Sequence, residues 1–130
     1  MQHVQANVPA DDYLVIGGDF NTDTFDEPCL ATLAAVTTFN AAGPHPVDQA
    51  GVTGTNASRS KPYDQLLFDI DLANVRTATV RGQSVFAQGW VLDSRVYTPI
   101  AEIAPALATD SAASSMQRMG VVQTFAVPLQ

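Results

Sequence analysis

Asp19 and Asn21, in Gly17-Gly18-Asp19-Phe20-Asn21-Thr22, are the first residues in the chain whose types and spacing suit chemistry. A carboxylate and an amide this close can together address a hard cation, an attacking water and a phosphate oxygen. A second set stands at Arg59-Ser60-Lys61-Pro62-Tyr63-Asp64, where two cations precede a carboxylate, and Gln117-Arg118 adds a further cation near the carboxyl end. The competing reading of the first set is an ordinary Asx turn, with Asp19 or Asn21 capping Thr22 and the helix after it. For the second set it is a solvated turn at the entry to a strand.

The element that must present Asp19 is the apolar run Tyr13-Leu14-Val15-Ile16. Such a run predicts a strand buried on both faces, and Gly17 and Gly18 let the backbone turn sharply at its carboxyl end. In open α/β architectures that edge is where ligands bind. Asp23 and Thr24 or Asp26 are capping candidates for a short helix with Pro28 in its first turn and Leu30, Leu33 and Ala34 at helical spacing. Residues 36–39 suit a brief strand. Residues 40–60, rich in Gly, Pro, Asn, Ser and Thr, form a connection long enough to be functional or mobile.

Regular structure resumes after Tyr63. Residues 65–70 and 75–80 are predicted as strands, with Ala73-Asn74 at the turn between them, and residues 85–87 and 90–92 as short strand or edge pieces. Thr98-Pro99 opens a short helix to Ile103 that Pro105 stops, and residues 121–127 give a last, interior strand. Strands with two short helices predict an α/β or α+β layered sheet, mixed but mostly antiparallel.

Composition narrows the function classes. Six Lys and Arg against thirteen Asp and Glu give a net charge of −7, which opposes a general polyanion-binding surface but leaves room for a small cluster serving one phosphate. A chain of 130 residues with 46% apolar and 15% charged residues can build one domain with a real core. No run approaches the roughly 18 apolar residues that span a membrane. Cys29 is the single cysteine, so neither an intrachain disulfide nor a thiolate cage can form, and its apolar helical setting predicts a buried structural thiol. Trp90 is expected in the core, and Asp93 and Arg95 are spaced to pair across a turn. Residues 1–8 lack a secretory signal and read as the tail of a helix ending before Pro9, as if the chain began inside a larger domain. Localisation is not legible.

Taken in order, Gly17-Gly18-Asp19-Phe20-Asn21, then Arg59-Ser60-Lys61-Pro62-Tyr63-Asp64-Gln65-Leu66-Leu67, then a polar loop running into Met119-Gly120-Val121-Val122 resemble the endonuclease/exonuclease/phosphatase superfamily, whose fold is that of deoxyribonuclease I. The first motif is similar to the family's Gly-Asp-Phe/Leu-Asn signature and the second to its Tyr-Asp box. The third stands where the family has Ser-Asp-His. The resemblance implies that residues 1–130 are the carboxyl-terminal portion of one family domain, half of a four-layer α/β sandwich. It further implies a phosphoesterase dependent on Mg2+ or Mn2+, acting on a phosphate ester, nucleic acid included, by in-line attack of water. In that scheme Asp19 orients or deprotonates the water and touches the metal, Asn21 holds a phosphate oxygen, and Asp64 orients the catalytic histidine. Arg59, Lys61 and Arg118 are expected to meet the substrate phosphate.

The departures define the alternative. Gln117-Arg118 takes the place of Asp-His, and an Asp64 to Arg118 salt bridge would preserve the architecture. An arginine cannot shuttle protons, a role typically contributing on the order of 10² to 10⁴ in rate. The family's metal-binding glutamate and second histidine belong to an amino half that the match does not cover. His3 and His45 fall at no matching position and read as surface residues. A catalytically inactive family fragment, a binding or scaffold domain, and self-association through an uncovered sheet face are therefore carried beside the enzyme.

Overall fold

The computed structural model describes residues 6, 7, 9 and 12–128, so His3 and most of the helix tail expected before Pro9 lie outside the described residues. The fold is α+β, built from four antiparallel two-stranded pairs and short helices. In chain order these are β1 (Val15–Asp19), α1 (Pro28–Leu33), β2 (Asp64–Phe68), α2 (Ile70–Asn74), β3 (Arg76–Thr77), β4 (Thr79–Arg81), β5 (Ser84–Phe86), β6 (Trp90–Leu92), β7 (Gly120–Val122) and β8 (Thr124–Phe125). Two 3₁₀ turns, Ile100–Ile103 and Asp110–Ala112, fill the chain between β6 and β7. β1 pairs with β2, β3 with β8, β4 with β5 and β6 with β7. Among the described residues no helix is long and apolar enough to cross a membrane.

β1 forms where the apolar run predicts a strand, but it is not buried on both faces. Val15, Gly17, Gly18 and Asp19 are exposed and Ile16 is half-buried. The reason is pairing: among the described residues β1 joins β2 alone, so one edge and one face stay open. β2 carries the burial instead, with Gln65, Leu67 and Phe68 inside.

β2 also stops earlier than its sequence suggests. The Asp69 carboxylate accepts from the Leu72 backbone N–H at 2.9 Å and caps α2, so residues 69 and 70 leave the strand and Ala73-Asn74 end a helix rather than a turn. The same carboxylate accepts from the Leu14 N–H at 2.7 Å, tying the entry of β1 to the exit of β2. Asp69→Ala removes both bonds and is expected to cost about 1 to 2 kcal/mol in urea unfolding. Asp69→Asn keeps one acceptor oxygen for the cap but sets an amide N–H against the Leu14 N–H, so it should recover only part of that stability.

α1 begins at Pro28 without the expected caps. Its N-cap is Glu27, which makes no side-chain capping bond; the Glu27 carboxylate accepts from the Asp23 and Thr24 N–H groups, while the Thr24 hydroxyl donates to Asp26. Leu30 faces inward and is fully buried, which turns Cys29, one residue round the helix, out to solvent; the single thiol is exposed and not a core residue. Residues 36–39 form no strand. Thr38 instead docks on the end of β2, donating its N–H to the Phe68 carbonyl at 2.9 Å.

The apolar cluster gathers Phe86, Trp90, Tyr97 and Ile103, with Val47, Leu92, Ile100 and Ala106 packed against it. Trp90 stacks on Phe86 at 5.4 Å between ring centroids and lies 5.0 Å from Tyr97, as expected of a core tryptophan. The stretch expected to be helical before Pro105 is the first 3₁₀ turn, and the last strand is split into β7 and β8 around Gln123, with Val121 and Phe125 half-buried.

Residues 40–60 contain no helix or regular strand, yet side chains organise them. The Asp48 carboxylate accepts from the Ala50 and Val52 N–H groups, and Asn56 Oδ1 accepts from those of Ser60 and Lys61. Single bridges join Val47 to Trp90 and Asn56 to Arg118. The turn closes so tightly that a Cβ on Gly54 would lie 2.2 Å from the Arg59 carbonyl oxygen.

Candidate functional site

Antiparallel pairing of β1 and β2 brings the carboxyl end of one strand to the amino end of the other. In this register Asp19 stands directly opposite Asp64, and cross-strand partners share a face. The loops beyond them are stapled together. The Phe20 and Asn21 N–H groups both donate to the Tyr63 carbonyl, at 2.7 and 3.2 Å, and the buried Thr22 hydroxyl donates to the Pro62 carbonyl at 2.6 Å. Asn21 adopts φ 54°, a left-handed conformation that asparagine tolerates, and its N–H donates to Asp19 Oδ1 at 2.8 Å. Asp19 to Asn21 is therefore an Asx turn and, at the same time, one lip of a polar rim.

Arg118 reaches this rim from the segment before β7. The Met119 N–H donates to the Thr55 carbonyl at 2.7 Å and fixes the approach. The guanidinium donates from Nε and Nη2 to Asp19 Oδ2 at 2.9 and 2.6 Å, while its Nε lies 3.8 Å from Asp64 Oδ2. Its carbon sits 4.4 Å from the Tyr63 ring centroid, a cation–π distance. The expected Asp64 to Arg118 pair is thus present only as the longer contact, and Asp19 is the principal partner. Geometry decides this, because Asp19 projects into solvent where a long side chain can meet it, whereas Asp64 is more enclosed.

The two carboxylates differ accordingly. The hydrogen bond from Arg118 holds the Asp19 carboxyl below the usual range. Burial pushes Asp64 up, the Thr55 hydroxyl pulls against that, and the neighbouring Asp19 charge adds to the rise. Asp64 Oδ2 is buried and makes no hydrogen bond among the described residues. No group of three or more His, Cys, Asp or Glu side chains among the described residues converges as a metal cage.

Arg59 does not stand at the rim to meet a phosphate. Its guanidinium turns inward, with Nη2 2.6 Å from Asp48 Oδ2 and Nε 3.0 Å from Asp93 Oδ2, and both carboxylates are buried. Its place on the loop before β2 is as expected, with φ at 62°, but Asp48 and Asp93 hold the side chain inward. Arg95 completes the cluster on Asp93, donating from Nε at 2.8 Å and Nη2 at 2.7 Å, so Asp93 and Arg95 do pair across a turn. Lys61 pairs with Asp23 at 2.7 Å. Gln117 is exposed, and His45 is half-buried in a stack on Phe25 at 3.5 Å rather than free on the surface. The residues that sequence reasoning left without a role are Asp48, which captures Arg59, and Tyr63, whose ring underlies Arg118.

Asp93 makes stability depend on acid. Burial raises its carboxyl, but the hydrogen bonds from Arg95 and the charges of Arg95 and Arg59 outweigh that and hold it below the usual range. Its contribution is therefore full above the unfolded value, near pH 4, and is lost as pH falls through the lower folded value. Urea midpoints measured from about pH 5 down to about pH 2 should fall more steeply for the wild type than for Asp93→Asn.

No family model, curated protein or solved structure matches the chain.

Proposed function

We propose that the chain carries one edge of a divalent-cation-dependent phosphoesterase site, hydrolysing phosphodiester or phosphomonoester bonds, on the carboxyl-terminal part of a four-layer endonuclease/exonuclease/phosphatase-like sandwich. The observation that carries the reading is the register of Asp19 against Asp64, with the Asn21 turn at the same end of the strand pair. The donor set suits Mg2+ or Mn2+, since Mg2+ often takes one or two carboxylates and completes its shell with water and substrate phosphate. Asp19 and Asp64 would hold the ion, and Asp64 Oδ2, which accepts no hydrogen bond among the described residues, has a lone pair to give. Bound there, the ion would polarise the phosphoryl oxygen and offset developing charge.

The remaining roles fall to the chain itself. Asp19, kept anionic, orients the attacking water. The exposed Asn21 amide donates to a phosphate oxygen, and Arg118, already at the rim, supplies positive charge to the phosphoryl group. Positioning and charge stabilisation make up most of phosphoryl-transfer catalysis, so this set can act without a covalent intermediate. Arg118 stays charged and cannot protonate the leaving group, so good leaving groups are favoured. Cover for the open β1 face, from a second copy or from a complementary half of the domain, belongs to the same proposal.

A second reading is favoured by Arg118 itself: its two bonds to Asp19 neutralise the carboxylate and give a phosphate-binding scaffold without turnover. Hydrolysis of bis-p-nitrophenyl phosphate with Mg2+ or Mn2+, against a chelator control, tests the first reading. Turnover abolished by chelation supports it. Binding of the ester without turnover favours the scaffold, and neither binding nor turnover overturns both.

A further inference from the structure

Arg118 and its two carboxylates carry charges of +1, −1 and −1, so the guanidinium already neutralises half of the negative charge that would attract a divalent ion. Both Asp19 oxygens are committed, Oδ2 to Nε and Nη2 of Arg118 and Oδ1 to the Asn21 N–H. Asp64 Oδ2 is buried, accepts no hydrogen bond among the described residues, and lies 3.8 Å from the Arg118 Nε. Arg118 therefore sits across the two groups that would otherwise take the ion. About a third of its side chain is exposed, 32%, and the Tyr63 ring beneath it offers a surface along which a guanidinium can shift without losing cation–π contact.

We infer that Arg118 is a built-in competitor for the divalent cation: its guanidinium occupies Asp19 until a phosphate draws it off, so that cation and phosphate bind cooperatively. The inference rests on the phosphoesterase reading and deepens it. Two positive species cannot share one carboxylate at close range without repulsion, and a phosphate dianion is a stronger partner for a forked guanidinium than a single carboxylate oxygen. Arginine suits the part because it never loses its charge, so the competition persists at every physiological pH.

The test follows Mn2+ binding by the loss of the free-ion electron paramagnetic resonance signal, with no turnover needed. Arg118→Gln is expected to bind Mn2+ at least about tenfold more tightly than the wild type at low ionic strength. Arg118→Lys, which keeps the charge but not the fork, should fall between them. Adding Asp19→Asn to Arg118→Gln should abolish the gain, and submillimolar inorganic phosphate should tighten Mn2+ binding in the wild type but not in Arg118→Gln. If the wild type and Arg118→Gln bind equally and Asp19→Asn weakens both, the competitor role is overturned while the cation site stands. If no variant binds Mn2+ in a manner dependent on Asp19, the phosphoesterase reading fails with it.

Discussion

Arg59→Leu is expected to lower folding stability by about 3 to 5 kcal/mol, the range seen when one partner of a buried ion pair is removed. Asp48 and Asp93 are each 2% exposed and Arg59 is 11% exposed, so water cannot replace the guanidinium. Asp93 keeps Arg95, but Asp48 Oδ2 loses its hydrogen-bonded cation while Oδ1 keeps the Ala50 and Val52 N–H groups. The loop from Thr53 to Lys61 wraps around this arginine, and its closing bond, Thr55 N–H to the Lys61 carbonyl at 2.8 Å, delivers Asp64 to the rim. Urea unfolding should therefore show the loss, and so should phosphate or Mn2+ binding measured well below the unfolding midpoint. Arg59→Lys restores charge without two-pronged geometry and should recover part of the stability. A change below about 1 kcal/mol in Arg59→Leu would place the cluster among ordinary surface pairs.

Asp19→Ala is expected to lower metal-dependent hydrolysis of bis-p-nitrophenyl phosphate by at least about 10²-fold, the lower end of what a positioned acid or base contributes. Folding should change little, because the Asp19 side chain is 43% exposed and its ion pair with Arg118 is solvent-screened. That contrast separates the rim from the Arg59 cluster: one substitution is expected to lower the proposed turnover and spare the fold, the other to weaken the fold. Asp64→Asn should sit between, since the Asp64 side chain is more enclosed than that of Asp19. Equal turnover in the wild type and Asp19→Ala would assign any hydrolysis to a contaminant or to another site.

Much of the rim was legible because it depends on local order. Gly17-Gly18-Asp19-Phe20-Asn21 ends one strand and Tyr63-Asp64 begins the next, and antiparallel pairing of two such strands makes those ends meet. What was not legible depends on contacts distant in sequence. The burial of β1 is set by how many strands join it, which an apolar run of four residues does not encode. Asp69 reads equally as the interior of a strand or the cap of a helix, and the Leu72 and Leu14 N–H groups decide it. Arg59 resembles a substrate cation until Asp48 and Asp93, residues 11 before it and 34 after it, turn out to enclose it. Arg118 was expected on Asp64 alone, and its closer pairing with Asp19 follows from the unequal exposure of the two carboxylates rather than from order along the chain. The Pro28 start of α1 was legible, but the outward turn of Cys29 followed from Leu30 claiming the buried side.

That outward thiol sets a limit on covalent assembly. With a single sulfhydryl per chain, carried on the solvent side of α1, air oxidation can couple two molecules back to back and then has no further group to use. Storage without reductant would thus yield a pair of defined size joined through α1, whose reversal by a thiol reagent distinguishes it from any dimer held by the open strand of β1.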